Sequence, residues 1–353
     1  PTPSWRQTSG KDGNWVKMNG ISMIQLAKEL GLSVSTVSKA IGDSHEISAS
    51  TKKRVLELVK KYKYKPNPFA SNLRKKKGKQ IAVIIPDIVN NFFALAVDGI
   101  ESVTMSKHYD TFIYLTHENL EREKAVLEHL ESGLISGLII SVCTGREGYS
   151  HFQEFYEATK LPLVFFDRVP DLLQFPKVIT NNYESSFDAT VRLIKAGSKR
   201  PVLITTTEPM FTSMERRRGY QDALEKQGIV FTDEMIIHCT DDMELNYTIL
   251  RKIFSQKKRP DGIFASIEKY AITSYQVCKD LKLVIPKDVK VIGMTNLRTA
   301  ALLNPSLSTL SQPAFDMGKE AAGLLIKMIE KKSYAAANDI IVLPNELTIR
   351  DSI

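Results

Sequence analysis

From Gln80 to Ile353 short apolar runs alternate with longer segments of helical period, and this rhythm constrains the fold more than any other feature. The runs are Ile81-Ala-Val-Ile-Ile-Pro86, Asp110-Thr-Phe-Ile-Tyr, Gly137-Leu-Ile-Ile-Ser, Leu161-Pro-Leu-Val-Phe-Phe, Pro201-Val-Leu-Ile-Thr, Asp261-Gly-Ile-Phe-Ala and Val289-Lys-Val-Ile-Gly. Helical patterns follow the first two, from Phe92 to His108 and from Leu120 to Ser132. A continuously apolar strand is buried on both faces, which calls for helices above and below a parallel sheet. A stretch of about 270 residues exceeds one domain of ~150, so two α/β lobes are expected.

In parallel sheets ligands sit beyond the carboxyl ends of the strands, and between two lobes the natural site is the cleft. The residues that follow the runs are therefore the candidates: Asp87 to Phe93, Thr144, Asp167-Arg168, a loop from Glu208 to Arg218, Glu268 and Thr295-Asn296. Phe92 and Phe93 suit either stacking on a sugar or base, or core packing at a helix start. Asp167-Arg168 reads either as an acceptor and a donor fork around a polyol, or as a surface ion pair. Among Arg216, Arg217 and Arg218, one is expected to face the cleft and the others solvent.

Ahead of this body stands Ser22-Met-Ile-Gln-Leu-Ala-Lys-Glu-Leu-Gly31-Leu-Ser33-Val-Ser-Thr-Val-Ser-Lys39-Ala-Ile. It reads as two short amphipathic helices, N-capped by Ser22 and Ser33, with Gly31 ending the first in a left-handed turn. Leu26, Ala27, Leu30, Val37 and Ile41 are spaced to share a small core, which is the pattern of a helix-turn-helix. Val34, Ser35 and Lys39 then lie outward with Thr36 and Ser38 beside them. Lys39 suits guanine O6/N7, Val34 a thymine methyl, and the hydroxyls base edges or phosphates. A third helix is expected from Ser48 to Tyr62, packing Val55, Leu58 (or Leu56) and Val59 while Lys52, Lys53 and Arg54 stay near a duplex backbone. Pro66 ends it, and Asn67 caps a short segment reaching about Arg74. Leu73 is an apolar side chain on a polar, cationic stretch, where it is out of place in a plain linker. It suits a wedge between base steps in the minor groove, with Ala70 small enough for close approach.

Charge follows the same division. Up to Lys79 there are 17 Lys plus Arg and 5 Asp plus Glu, a net of 17 − 5 = +12, while the rest carries 31 against 35, a net of −4. A cationic module on a mildly acidic body fits a polyanion bound at one end. Residues 1–20, with Trp5 and Trp15 isolated among polar residues, are expected to be a disordered leader or tag. Cys143, Cys239 and Cys278 lack Cys-x-x-Cys spacing, and no apolar run suits a signal peptide or a membrane span. Structural thiols in the reduced cytoplasm, and no membrane partner, are expected. The six histidines show no metal spacing, and neither a phosphate-binding glycine loop nor a nucleophile elbow occurs, so no enzyme, metal or cofactor is expected.

The run from Ile21 to Leu73 resembles the DNA-binding headpiece of the LacI/GalR family of bacterial transcription regulators. The resemblance rests on Leu-Ala-Lys-Glu-Leu-Gly-Leu-Ser, Thr36-Val-Ser-Lys39, Ile47-Ser, Thr51-Lys-Lys-Arg-Val and Tyr-x-Pro-Asn-x-x-Ala-x-x-Leu. It implies a hinge helix at about Asn67 to Arg74 that folds on operator DNA, with Leu73 intercalating. Residues 80–352 resemble the family's periplasmic-binding-protein-like (type I) effector domain through Asn91-Phe-Phe, Phe-Phe-Asp167-Arg168, Arg216-x-x-Gly219-Tyr, Arg259-Pro-Asp-Gly-Ile-Phe-Ala, Ile285-Pro-x-Asp-Val, Pro305-Ser-Leu-Ser-Thr and Leu-Thr-Ile-Arg350-Asp-Ser. By that likeness Phe92, Phe93, Asp167, Arg168 and Arg216 line an effector pocket, to which the strand-end positions add Thr144, Glu268 and Thr295. The chain departs from the pattern at Lys39, Gly42 and Ser71, where Arg, Asn, and Arg or Gln are usual. It departs again at Ile267-Glu268, where Asn-Asp is common, and at Gly293-Met-Thr295 in place of Gly-x-Asp. The first set bears on operator sequence, the second on whether a plain sugar fits.

The resulting expectation is an α/β chain in four parts. A leader (1–20) precedes a helix-turn-helix domain (21–65) and a hinge (66–79). The effector domain (80–353) has one lobe of 80–182 with 311–340 and another of 183–310 with 341–353. Its partners are double-stranded operator DNA, a sugar or sugar-derived effector, and a second copy in a homodimer, with no tail-built tetramer. The alternatives are a sugar-binding protein without a DNA role and a regulator with a non-sugar effector.

Overall fold

A computed structural model describes residues 23–62, 64, 79–132, 135–143, 148–207, 210–331 and 339–353. The chain divides into two compact units, Pro1–Lys75 and Lys76–Ile353. Ser22, the expected hinge residues Asn67, Ala70, Leu73 and Arg74, the 1–20 leader and Thr144 lie outside the described residues.

The smaller unit holds α1 (Met23–Leu30), α2 (Val34–Ile41) and α3 (Ala49–Lys61). Gly31 takes the left-handed conformation at φ 65°, which reverses the chain between the first two helices. Ser33 and Ser48 cap α2 and α3, accepting from the main-chain N–H of Thr36 at 3.1 Å and of Thr51 at 3.3 Å. Leu26, Ala27, Val37, Ala40 and Val55 form the buried centre, with Leu30, Ile41, Leu58 and Val59 partly buried around it. Ala40 thus replaces Leu30 and Ile41 at the innermost layer, and Leu56 stands half in solvent where Leu58 packs.

The larger unit contains two six-stranded sheets. The first runs β11-β5-β4-β3-β1-β2, with β1 (Gln80–Ile85), β2 (Asp110–Leu115), β3 (Gly137–Ile140), β4 (Leu163–Phe166), β5 (Lys177–Thr180) and β11 (Ile340–Leu343), all parallel. The second runs β12-β10-β9-β8-β6-β7, with β6 (Pro201–Thr206), β7 (Ile236–Cys239), β8 (Gly262–Ala265), β9 (Lys290–Met294), β10 (Ser308–Ser311) and β12 (Glu346–Thr348). Only β12 is antiparallel. Alternation along each strand splits its residues between two cores. Ile81, Val83 and Ile85 pack on one face of the first sheet, Ala82 and Ile84 on the other. In the second sheet Val202 and Ile204 oppose Leu203 in the same way.

The helices are α4 (Asn91–Ser106), α5 (Leu120–Leu130), α6 (Ser150–Thr159), α7 (Asn182–Lys195), α8 (Phe211–Lys226), α9 (Met243–Phe254), α10 (Glu268–Asp280) and α11 (Ala314–Glu330). The chain crosses between the sheets after β5, after β10 and after β11. Three boundaries differ from those expected. Ile340–Leu343 pairs with β5, so residues 341–343 belong to the first lobe. Ser311 ends β10 of the second sheet, and α7 from Asn182 onward packs into the second core. The expected loop from Glu208 to Arg218 is helical from Phe211.

Candidate functional site

On the headpiece, burial of Val37 and Ala40 turns Ser35 and Lys39 outward, with Ser38 and Thr36 half-exposed beside them. Val34, expected to face a base, is half-buried and packs against the headpiece core. Ser33 shares its hydroxyl with Thr36 at 2.8 Å besides capping α2, so both hydroxyls are already engaged near the helix N-terminus. Lys39 pairs with Glu46. Both groups are about half exposed, and such a pair is worth ~0–1 kcal/mol, so a phosphate or guanine can take the ammonium over. Lys52 turns away to Asp43 at 2.7 Å, which holds the Asp43 carboxyl below its ordinary range.

Between the two lobes lies a cleft with two connected chambers. The inner one, about 60 Å³, is bounded by Phe92, Asp167, Arg216, Thr295 and Gln312. The outer one, about 650 Å³, is bounded by His117, Glu118, Thr240, Asp241 and Lys269. Phe93 and Arg168 from the first lobe and Met210 and Glu268 from the second border both chambers, so they form the throat between them. Most of these residues stand at or just beyond the carboxyl end of a strand, where parallel-sheet topology leaves a crevice, while Phe92, Phe93 and Arg216 reach the cleft from α4 and α8.

Asp167 follows β4 in the left-handed region at φ 56° and accepts from Gln312 Nε2 at 3.0 Å. Arg168 turns the other way, donating to Glu118 at 2.5 Å and lying 5.6 Å from the centre of the Phe93 ring. Asp167 and Arg168 are therefore neither solvent-exposed nor each other's hydrogen-bond partner. Burial opposes the charge on Arg168, but Glu118, Asp167 and Asp241 outweigh it and hold its pKa above the ordinary value. Arg216, one turn into α8, donates through Nε to Asn182 Oδ1 at 2.8 Å and through Nη1 to the Ser266 carbonyl at 3.1 Å. Burial lowers its pKa to about 10, with Asp167 working against the shift and Arg168 adding to it. Arg217 and Arg218 face outward, to Asp233 and Glu215.

Glu268 opens α10 and links the lobes. Its carboxylate accepts from Asn91 Nδ2 of the first lobe at 3.1 and 3.3 Å and from the Thr295 hydroxyl of the second. Phe92 and Phe93 join the first lobe's core with centroids 5.2 Å apart and both pack near Phe166, yet each keeps an edge on the cavity. This pair therefore packs in the core and borders the cavity at once. The described candidates Phe92, Phe93, Asp167, Arg168, Arg216, Glu268 and Thr295 all border the inner chamber. Met210 and Thr212, from the expected 208–218 segment, join them in the wall, as do residues not anticipated: Gln312 in the wall, Glu118 behind Arg168 and Asn182 behind Arg216. Gln312 and Glu118 stand just past β10 and β2, so the strand-end rule extends to both.

Among the described residues no group of His, Cys, Asp and Glu is arranged to hold a metal, and no helix is long and apolar enough to cross a membrane.

The profile of the bacterial regulatory proteins, lacI family, matches residues 22–67, and that of a periplasmic binding protein-like domain matches residues 190–353. The chain is 27% identical to catabolite control protein A of Priestia megaterium over 333 residues, covering 94% of this chain and 99% of that protein. Its fold matches the lac repressor dimer bound to operator and an anti-inducer with a TM-score of 0.79 at 17% identity, covering 95% and 99% of the two chains. It matches a transcriptional regulator CelR–cellobiose complex with a TM-score of 0.70 at 20% identity, covering 94% and 99%.

Proposed function

The chain belongs to the lacI family of bacterial regulatory proteins and is a DNA-binding transcription regulator rather than an enzyme; from that premise we propose that it acts as a homodimeric repressor whose hold on an operator is set by a sugar-type effector in the cleft. The observation that carries the reading is the outward face of α2, where Ser35 and Lys39 project from a headpiece whose N-terminal 79 residues hold a net charge of +12. A two-fold dimer presents this face to both halves of a near-palindromic site, each α2 in a major groove. Leu73, in the segment joining the two units, is assigned to the minor groove, where an apolar wedge unstacks a base step.

Control follows from linkage. Asn91–Glu268 and Gln312–Asp167 tie together residues at the mouths of both sheets. A ligand that replaces these contacts changes the angle between lobes. Whatever free energy it spends on the operator-competent arrangement, the operator returns in effector affinity. One relative in support of an effector of this kind is a ribose operon repressor of Haemophilus influenzae, 28% identical over 333 residues, covering 94% of this chain and 98% of that protein.

Selection of bound duplexes from a random pool tests the proposal. A near-palindromic winner with a flexible central pyrimidine–purine step, and an affinity that falls steeply with salt, is expected. Failure to enrich any sequence, with or without sugars, overturns it.

A further inference from the structure

The two chambers differ about elevenfold in size, and the difference bears on what the cleft holds. A water molecule needs ~10–15 Å³, so the inner chamber of about 60 Å³ takes no more than one small polar ring or part of it. The outer chamber, about 650 Å³, lies within the ~300–1,000 Å³ of drug-sized ligand sites. A single sugar ring seated against Asp167 and Arg216 leaves the larger chamber to solvent. A ligand of two linked rings reaches into both.

Charge narrows the class. The two chambers are bordered by five carboxylates (Asp87, Glu118, Asp167, Asp241 and Glu268) against three permanent cations, Arg168, Arg216 and Lys269. Arg168 is committed to Glu118 and Lys269 to Asp241. A phosphorylated sugar brings two more negative charges into this surplus and is disfavoured. Hydroxyls are served well, since carboxylates accept and guanidinium donates at both ends of the throat.

Resting on the reading of the cleft as an effector site, we propose that the effector is an uncharged disaccharide. One ring sits in the inner chamber and the second in the outer one against Asp241 and Lys269. The linkage passes between Phe93 and Arg168 on one side and Met210 and Glu268 on the other. Glu268 is then the specificity-determining residue: its carboxylate meets the ligand at the junction of the rings and exchanges its Asn91 partner for a ligand hydroxyl.

Calorimetric titration of the full chain with cellobiose, maltose, sucrose and trehalose, with glucose and ribose, with glucose 6-phosphate and with hypoxanthine tests this. At least one disaccharide is expected to bind about tenfold or more tightly than either monosaccharide, with no heat from the phosphate ester. Asp241→Ala is expected to cut the disaccharide-to-monosaccharide affinity ratio by about tenfold, through loss of a charge-assisted hydrogen bond in the outer chamber. A monosaccharide, glucose 6-phosphate or hypoxanthine that binds as tightly as any disaccharide overturns the two-ring proposal and leaves the regulator reading in place. Selective duplex binding with no response to any disaccharide does the same. Only a chain that neither binds these ligands nor enriches a duplex brings down both.

Discussion

Arg216 is a buried cation held by an amide oxygen and a main-chain carbonyl rather than by a carboxylate in hydrogen-bond contact. The drop of its pKa from 12.5 to about 10 corresponds to a cost on the order of 3 kcal/mol for keeping it charged in place. Arg216→Met removes that cost but strips donors from Asn182 and Ser266, a loss of about 1–3 kcal/mol each. The two effects nearly cancel, so calorimetry is expected to show a melting temperature changed by only a few degrees, while operator titrations lose their response to effector. A collapse of stability instead assigns Arg216 to the architecture. The three thiols give a second prediction at this scale. Burial pushes Cys239 to about 11 and Cys278 to about 12, and Cys143 higher still, with Glu123 adding to the effect. Reaction with a disulfide reagent at pH 8 is expected only after denaturation. Because the folded chain keeps thiol protons that the unfolded chain loses above about pH 9, stability is expected to decline as pH rises through that range.

Two helices of the first lobe approach each other more closely than side chains allow. A Cβ on Gly99 of α4 would lie 2.0 Å from the Phe315 carbonyl oxygen of α11, and one on Gly318 of α11 would lie 2.0 Å from that of Ala96. Gly99→Ala therefore has to push α11 away, and denaturant titration is expected to show a loss of about 1–3 kcal/mol. Gly323→Ala on the same α11 meets nothing within 4 Å and is expected to gain ~0.5–1 kcal/mol from helix propensity, which separates the clash from propensity. Such helix contacts are invisible in local sequence, whereas strands buried on both faces announce themselves. β1, β3, β4, β6, β8 and β9 were legible for that reason. β10, Ser-Thr-Leu-Ser, was not: its polar groups are satisfied from the far end of the chain, by Ser352 on the Ser308 N–H and Arg350 on Thr309 Oγ1. The start of α8 reads as loop because Phe211 to Arg218 is largely polar, and the buried apolar residues of that helix, Tyr220, Ala223 and Leu224, come only after it. The same limits shaped the site. Strand ends located Asp167, Glu268 and Thr295. Gln312 went unread with β10, and Asn182 meets Arg216 only because α7 and α8 pack together.

For the whole molecule, charge and apolar chemistry are divided in a way that separates binding strength from discrimination. The +12 of the first 79 residues, against −4 for the remainder, gives any duplex the same phosphate attraction. An affinity built on 6–10 phosphate contacts falls ~10³–10⁵-fold between 50 and 200 mM salt, whatever the sequence. Leu73 adds no charge to this. Its assigned work, wedging a base step open, repays its cost only where the step deforms readily and α2 finds its bases nearby. Leu73→Ala is accordingly expected to weaken operator binding by tenfold or more, about 1.4 kcal/mol. Affinity for a scrambled duplex and the slope of log affinity against log salt should stay unchanged. Glu46→Gln should do the reverse. It frees Lys39 from its ion pair, so both duplexes bind more tightly and the slope steepens by up to about one unit. Titrations of the two variants on both duplexes at four salt concentrations check the pair. Equal weakening of operator and scrambled duplex by Leu73→Ala would place Leu73 in the folding of the joining segment, and the discrimination would then have to come from Ser35 and Lys39 alone.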